Sequence, residues 1–207
     1  MATAISVFVH VATHQHVCRH MVTCTPSERR KRLHAYAQAW LRLCLQLPEH
    51  QELVIAHSPK GKPYLRDFPH WQFNLSHSKQ HLALVCGQTQ HPLGIDIESH
   101  PRTIRPAVIK ASLSATELSH YHQAAEPLRY WLQVWTLKEA VLKAAGCGIV
   151  QDLHLLDSGF TGHNESGRMV FKAQPYAYQC LHHLDYHCAV AWQNDTSLPE
   201  LQWRAHA

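Results

Sequence analysis

The chain has 207 residues, of which 45% are hydrophobic and 16% charged, and its formal net charge is +4. This composition predicts a globular protein with a substantial core. The small positive charge is too weak by itself to argue for a nucleic-acid partner, and we expect none. No run approaches the roughly 18 apolar residues of a membrane span, and residues 1–10 lack the basic start and long apolar run of a signal peptide. We therefore expect a cytoplasmic protein without a membrane partner.

The cysteines and histidines do not form recognisable metal motifs. The seven cysteines include no Cys-x-x-Cys pair, which favours free thiols in a reducing compartment. Twenty histidines suggest zinc, but the closest groupings, His14-Gln15-His16, His120-Tyr121-His122 and His182-His183, have no matching ligand frame. We interpret most of them as surface residues.

The sequence of residues 1–100 predicts both strands and a helix. Alternation predicts a strand over residues 5–11, and Ser27 is placed to cap a helix from Glu28 to Leu47. Lys60-Gly61-Lys62-Pro63 is a turn signal, and strands are predicted over 73–76, 82–86 and 93–97. The proline-containing segment 100–106 is the best candidate for a join between two parts of the chain.

Helices dominate the next segment and strands the last one. A short helix is predicted to follow Pro106, and Ser114-x-x-Glu117 has the spacing of a capping box that opens another. Pro127 opens a long helix that ends near Gly146. Strands are predicted over 169–171, 178–181 and 187–192.

Two acidic motifs about forty residues apart are the strongest chemical signal. Asp96 and Glu98 share one face of a predicted strand, where two carboxylates repel unless a cation or solvent lies between them. Glu139 and Lys143 are four residues apart on a predicted helix, below Trp131 and Trp135. Taken alone, the first pair is explained by a solvated strand face and the second by a surface ion pair. The tryptophans favour a partly buried stripe, where a carboxylate needs a cation.

Two basic segments are candidate phosphate sites. The run Arg29-Arg30-Lys31-Arg32 lies in the first turns of the predicted helix, where basic residues oppose the helix dipole. Lys60 and Lys62 flank Gly61 in a turn, where ammonium groups and backbone donors could hold an anion. For both segments, a solvated charge run is the alternative.

In order, the motifs are Gly61-Lys62-Pro63, Phe73-Asn74-Leu75-Ser76-His77-Ser78, Gly94-Ile95-Asp96-Ile97-Glu98 and Trp135-Thr136-Leu137-Lys138-Glu139-Ala140-x-x-Lys143. This series resembles the Sfp-type 4′-phosphopantetheinyl transferases, over roughly residues 27–150. The resemblance implies transfer of phosphopantetheine from coenzyme A to a serine of an apo acyl or peptidyl carrier protein, with release of 3′,5′-ADP. Fatty-acid, polyketide and nonribosomal peptide synthesis all use this chemistry, and the sequence does not choose among them.

The resemblance also implies roles for particular residues. Magnesium, or manganese, is expected to bind three carboxylates: Asp96, Glu98 and Glu139. Lys143 is expected to stabilise charge on the pyrophosphate, and Glu139, Glu117 or a water to act as the base. Coenzyme A is expected to contact Lys60, Gly61, Lys62, Asn74, Ser76, His77, Asp96, Lys138, Lys143 and a basic residue near Arg32, whose register against Arg30 stays open.

The fold implied by the resemblance is α/β (α+β), with two similar halves related by a pseudo-twofold axis and the coenzyme between them. We place the halves at residues 1–100 and 101–207, which would make a monomer sufficient. The alternatives are a non-catalytic module that binds coenzyme A or a carrier protein, and a basic nucleic-acid- or metal-binding protein. The four residues Asp96, Glu98, Glu139 and Lys143 favour the transferase, because neither alternative needs them all.

Overall fold

The structure, a computed structural model, describes residues 6–13, 25–48, 50–100, 103–148, 152–193 and 200–206. Its helices are α1 (Pro26–Cys44), α2 (Pro106–Ser112), α3 (Ala115–Gln123) and α4 (Pro127–Ala144), with a 3₁₀ turn at Leu153–Leu155. Its strands are β1 (Ser6–Thr13), β2 (Ile55–His57), β3 (Pro63–Leu65), β4 (Trp71–His77), β5 (His81–Gln88), β6 (Leu93–Ser99), β7 (Ser166–Phe171), β8 (Gln174–His182), β9 (Tyr186–Trp192) and β10 (Glu200–His206).

Two four-stranded sheets form the framework. The first has the order β10-β1-β5-β4, with β10 parallel to β1 and the other pairs antiparallel. The second is antiparallel, with the order β6-β9-β8-β7, and β2 and β3 form a separate hairpin. Helix α1 packs on the first sheet and α4 on the second. This confirms the predicted α+β class and the arrangement as two similar sheets with helices.

A shared apolar layer joins the two sheets. Alternate residues of β1 and β6, among them Val9, Ile95 and Ile97, are buried together in it. Because side chains alternate along a strand, Gly94, Asp96 and Glu98 lie on the opposite face of β6. That face lies toward α4, where a Cβ on Gly94 would meet the α4 backbone.

The predicted boundary near residue 100 stays a prediction. Strand β6 precedes it but pairs with β9, and β10 follows it but pairs with β1, so strands from each part complete the other part's sheet. The predicted join at 100–106 includes residues 101 and 102, which lie outside the described residues.

The start of α1 differs from the prediction. Its N-cap is Thr25, not Ser27, because Thr25 Oγ1 accepts the Glu28 N–H while the Glu28 carboxylate accepts the Thr25 N–H. Pro26 then occupies the first helical position, where its missing N–H costs nothing. The capping box of Ser114 and Glu117 is confirmed. The long helix after Pro127 is also confirmed, and none of the described helices is long and apolar enough to cross a membrane.

Strand β6 and helix α4 touch backbone to backbone at Gly94. A Cβ at this position would lie 2.1 Å from the Ala140 carbonyl oxygen and 2.3 Å from the Ala144 nitrogen. Only a residue without a side chain permits this approach. The glycine of the Gly-x-Asp-x-Glu motif is therefore explained by packing.

We predict that Gly94→Ala lowers the free energy of unfolding by about 3 kcal/mol or more, because the added methyl group must push helix and strand apart. Urea unfolding followed by circular dichroism measures this. Gly148→Ala is the matched control, because a Cβ there meets nothing within 4 Å. Equal stabilities of the two variants would contradict the packing role of Gly94.

Candidate active site

A cleft of about 290 Å³ lies where β4, β6 and α4 meet. The end of β4 supplies Ser76 and His77, and β6 supplies Asp96 and Glu98. Helix α4 supplies a stripe at intervals of four residues. The residues lining the cleft are Leu75, Ser76, His77, Asp96, Glu98, Trp135, Glu139 and Lys143.

Three side chains hold the centre of the cleft together. Lys143 Nζ donates to Asp96 Oδ1 at 2.6 Å and to Ser76 Oγ at 2.7 Å. Ser76 Oγ in turn donates to the same Asp96 oxygen at 2.8 Å. Such charge-assisted hydrogen bonds are short and strong, and here they join one residue from each of three elements. The strand and helix motifs, separate in the sequence, therefore form one site.

The negative charge of the cleft exceeds what Lys143 can satisfy. Asp96 Oδ2 and Glu139 Oε1 are buried and have no hydrogen-bond partner among the described residues. Burial, with added repulsion from Asp96, raises the pKa of Glu98 to about 7 and the pKa of Glu139 to about 7, while Lys143 acts in the opposite direction. Unpaired buried carboxylate oxygens are costly, so the cleft is suited to a cationic ligand.

The carboxylate oxygens of the cleft are the kind of ligand that magnesium and manganese prefer. Among the described residues, no group of three or more His, Cys, Asp or Glu is arranged as a complete metal site. Magnesium does not need one, because it commonly binds one or two carboxylates and completes its shell with water and phosphate oxygens. The two unpaired oxygens, Asp96 Oδ2 and Glu139 Oε1, are available for such a shared site.

Trp135 forms an apolar wall of the cleft that the sequence analysis did not assign to the site. It lies one helical turn before Glu139 and stacks on Trp131, with ring centroids 5.3 Å apart. The spacing of four residues between Trp135 and Glu139, which puts both on one face of the helix, was the sequence signal that could have assigned Trp135 to the site.

A second cavity, of about 620 Å³, shares Glu98 with the cleft. It is lined by Ser78, Lys79, Gln80, Glu98, Ser99, His100 and Thr103.

Glu117 and Lys138, predicted as a base and a coenzyme A ligand, are not in the cleft. Lys138 Nζ donates to Glu117 Oε2 at 2.5 Å, and each side chain is only 1% exposed. The other Glu117 oxygen accepts from the backbone N–H and the hydroxyl of Ser158, at 2.8 and 2.6 Å. The pair is buried and its hydrogen bonds are made within the protein. Glu117 and Lys138 therefore connect α3, α4 and the segment after the 3₁₀ turn.

The predicted phosphate ligands are spread over several places. Arg32, Lys60 and Gly61 are exposed, and none of them lines the cleft. Asn74 Oδ1 accepts the backbone N–H of Ile95 at 3.2 Å and so connects β4 to β6. Lys62 Nζ donates to two backbone carbonyls, as described below. Of the residues predicted to contact coenzyme A, only Ser76, His77, Asp96 and Lys143 line the cleft.

Comparison with known proteins gives matches in one family. Residues 92–191 match the model of the 4′-phosphopantetheinyl transferase superfamily. A 4′-phosphopantetheinyl transferase of Bacillus subtilis is 40% identical over 93 residues, covering 43% of this chain and 39% of the relative. The 4′-phosphopantetheinyl transferase Sfp of Bacillus subtilis strain 168 is 34% identical over 91 residues, with the same coverage. A holo-[acyl-carrier-protein] synthase structure from Neisseria meningitidis has 20% identity and a TM-score of 0.43 over 50% of this chain and 98% of that one, too weak a likeness to support an argument.

The cleft of this α+β protein combines three carboxylates with one lysine. Carboxylates and lysines are the groups that hold divalent cations and anionic ligands in proteins. Residues 92–191 carry the pattern of the 4′-phosphopantetheinyl transferase superfamily, and the chain is similar to the 4′-phosphopantetheinyl transferases of Bacillus subtilis. This confirms the resemblance of the motifs. The chain spans only 39% to 54% of the length of the first curated relatives it matches, so their whole activity does not transfer by similarity alone.

We predict that Glu98→Gln changes the pH dependence of stability. The pKa of Glu98 is about 7 in the folded protein, above its ordinary 4.5. The folded state therefore holds this proton more tightly than the unfolded state, and ionisation destabilises the fold as the pH rises through that window. Relative to the wild type, the variant should gain stability between pH 4.5 and 7.

Urea unfolding in EDTA at pH of about 5 and about 8 measures this difference. The control is Glu52→Gln, which alters an exposed glutamate. A stability difference between Glu98→Gln and wild type that is the same at both pH values would contradict the electrostatic description of the cleft.

Proposed function

We propose that the chain is a 4′-phosphopantetheinyl transferase that moves phosphopantetheine from coenzyme A to a serine of an apo acyl or peptidyl carrier protein and releases 3′,5′-ADP. The observation that carries the proposal is the contact of Lys143 with Asp96 and Ser76 beside two further acidic side chains. A neutral ligand would not compensate the charge of these carboxylates. Two of them have a buried oxygen without a hydrogen-bond partner among the described residues.

The reaction is a phosphoryl transfer in which one P–O bond forms and another breaks. The serine oxygen of the carrier attacks the phosphorus next to pantetheine, and the bond from that phosphorus to the bridging oxygen breaks. The serine loses its proton, and 3′,5′-ADP leaves with the electrons of the broken bond. Such reactions are catalysed mainly by positioning and by stabilisation of developing charge.

Lys143 and Glu139 have different roles in this proposal. Lys143, held against Asp96 and Ser76, offers its positive charge to the 5′-phosphate oxygens of the departing 3′,5′-ADP. Glu139 accepts the serine proton, directly or through a water, because it lines the cleft and one of its oxygens has no hydrogen-bond partner among the described residues. Glu117 is not a candidate base here, since both of its oxygens are already bonded inside the protein.

Asp96 and Glu139 are the proposed ligands of magnesium or manganese, and Glu98, which lines the same cleft, is the third carboxylate that the family pattern implies. When bound, the cation supplies charge neutralisation at the pyrophosphate. The unpaired oxygens of Asp96 and Glu139 support this assignment. Trp135 covers one side of the cleft with an apolar surface, which excludes water from these groups.

The proposal includes a cytoplasmic monomer. In this proposal β4, β6 and α4 of a single chain supply the residues of the cleft. Among the described residues, Cys86, Cys147, Cys180 and Cys188 form no disulfide, which suits a reducing compartment.

The direct test incubates the protein with coenzyme A, magnesium and an apo carrier protein and measures the intact mass of the carrier. We predict the addition of one phosphopantetheine, and we predict that Asp96→Asn lowers the rate by about 100-fold or more, the scale for loss of an electrostatic stabiliser. Asp152→Asn is the control, since Asp152 is exposed and outside the cleft.

Each failure has a distinct meaning. No transfer to any acyl or peptidyl carrier would refute the transferase, and coenzyme A binding without transfer would favour the non-catalytic module. Near-normal turnover by a folded Asp96→Asn variant would refute the assignment of the cleft.

A further inference from the structure

Lys62 occupies a position that phosphate binding does not explain. It follows Gly61 in the turn between β2 and β3 and is partly buried. Its Nζ donates to the carbonyl oxygen of Ala144 at 2.7 Å and to that of Leu93 at 3.0 Å. Both partners are backbone groups of the two elements that build the cleft.

The contact with Ala144 completes the end of α4. The last carbonyls of a helix lack intrahelical partners. Those of Val141, Leu142 and Lys143 accept backbone N–H groups of the residues just beyond the helix. Lys62 provides a donor, and a positive charge, for the next carbonyl, where the negative end of the helix dipole lies.

The contact with Leu93 fixes the start of β6. Leu93 is three residues before Asp96, and Ala144 directly follows Lys143. One ammonium group therefore connects the backbone segments whose side chains meet at 2.6 Å in the cleft. The contact lies next to Gly94, where the same two segments touch without an intervening side chain.

We propose that Lys62 is a positioning residue that clamps the end of α4 onto the start of β6 and thereby sets the position of Lys143 relative to Asp96. This inference rests on the proposed transferase function for its effect on rate. It replaces the expected role of Lys62 as a ligand of a coenzyme A phosphate. The exposed Lys60, two residues earlier in the same turn, remains the cation that a phosphate can reach.

The experiment separates the two roles of Lys62 through kcat and coenzyme A affinity. Lys62→Met keeps the aliphatic part of the side chain and removes the donor. We expect kcat to fall by about 10- to 100-fold, the scale for misplaced catalytic groups, while the Kd for coenzyme A, measured by calorimetry, stays at the wild-type value. Lys62→Arg keeps a positive donor and should recover much of the lost kcat.

A second readout does not depend on activity. Hydrogen exchange followed by mass spectrometry should be faster in Lys62→Met within residues 93–97 and 141–147 and unchanged in α1 and β7. The control is Lys110→Met, which makes the same change at an exposed lysine of α2. It should match the wild type in all measurements.

The outcomes are distinguishable. A higher Kd for coenzyme A with unchanged kcat would overturn the proposal and assign Lys62 to phosphate binding. Faster exchange throughout the protein would show a general effect on stability and overturn it as well. If the wild type transfers nothing, the transferase proposal fails, but the local exchange pattern still decides whether the clamp exists.

Discussion

The site depends on the contact between β6 and α4 at Gly94. A helix can lie this close to a strand only where no side chain intervenes, and a Cβ here would overlap the helix backbone. This approach brings Asp96, two residues further along β6, within 2.6 Å of the Lys143 ammonium on α4. Ser76 from β4 completes the contact. The positions of the reactive groups therefore follow from backbone packing.

The excess of negative charge in the cleft favours binding of a cationic ligand. Three carboxylates share the cleft with one lysine, and two buried carboxylate oxygens remain unpaired. Burial, with added repulsion from Asp96, raises the pKa values of Glu98 and Glu139. A cation bound with a diphosphate would satisfy the oxygens and leave Lys143 free to act on the leaving group. The unpaired carboxylate oxygens therefore destabilise the free protein, and a bound cation would remove that cost.

The sequence predicted the acidic residues that meet in the cleft better than it predicted the positions of individual lysines. Asp96, Glu98, Glu139 and Lys143 could be found because strand and helix periodicities put each pair on one face. Their meeting depends on tertiary packing, for which the only sequence signal was the family order of the motifs. Lys62 and Lys138 show that the sequence does not reveal which partner a lysine meets in the fold. In a sequence a lysine beside a motif suggests an anionic ligand, but in the fold Lys62 meets backbone carbonyls and Lys138 meets a buried glutamate. The hairpin β2–β3 and strand β10 were missed, the hairpin because its strands of three residues are too short for a period to be recognised.

Manganese binding, followed by the electron paramagnetic resonance signal of the free ion, tests the central claim most directly. The wild type should bind Mn²⁺, and coenzyme A should tighten that binding because both ligands share one site. Asp96→Asn and Glu139→Gln should each lose the coupling, whereas Glu126→Gln, at an exposed glutamate outside the cleft, should keep it. Equal Mn²⁺ binding by the wild type and both cleft variants, or no effect of coenzyme A, would contradict a shared cation and diphosphate site between β6 and α4.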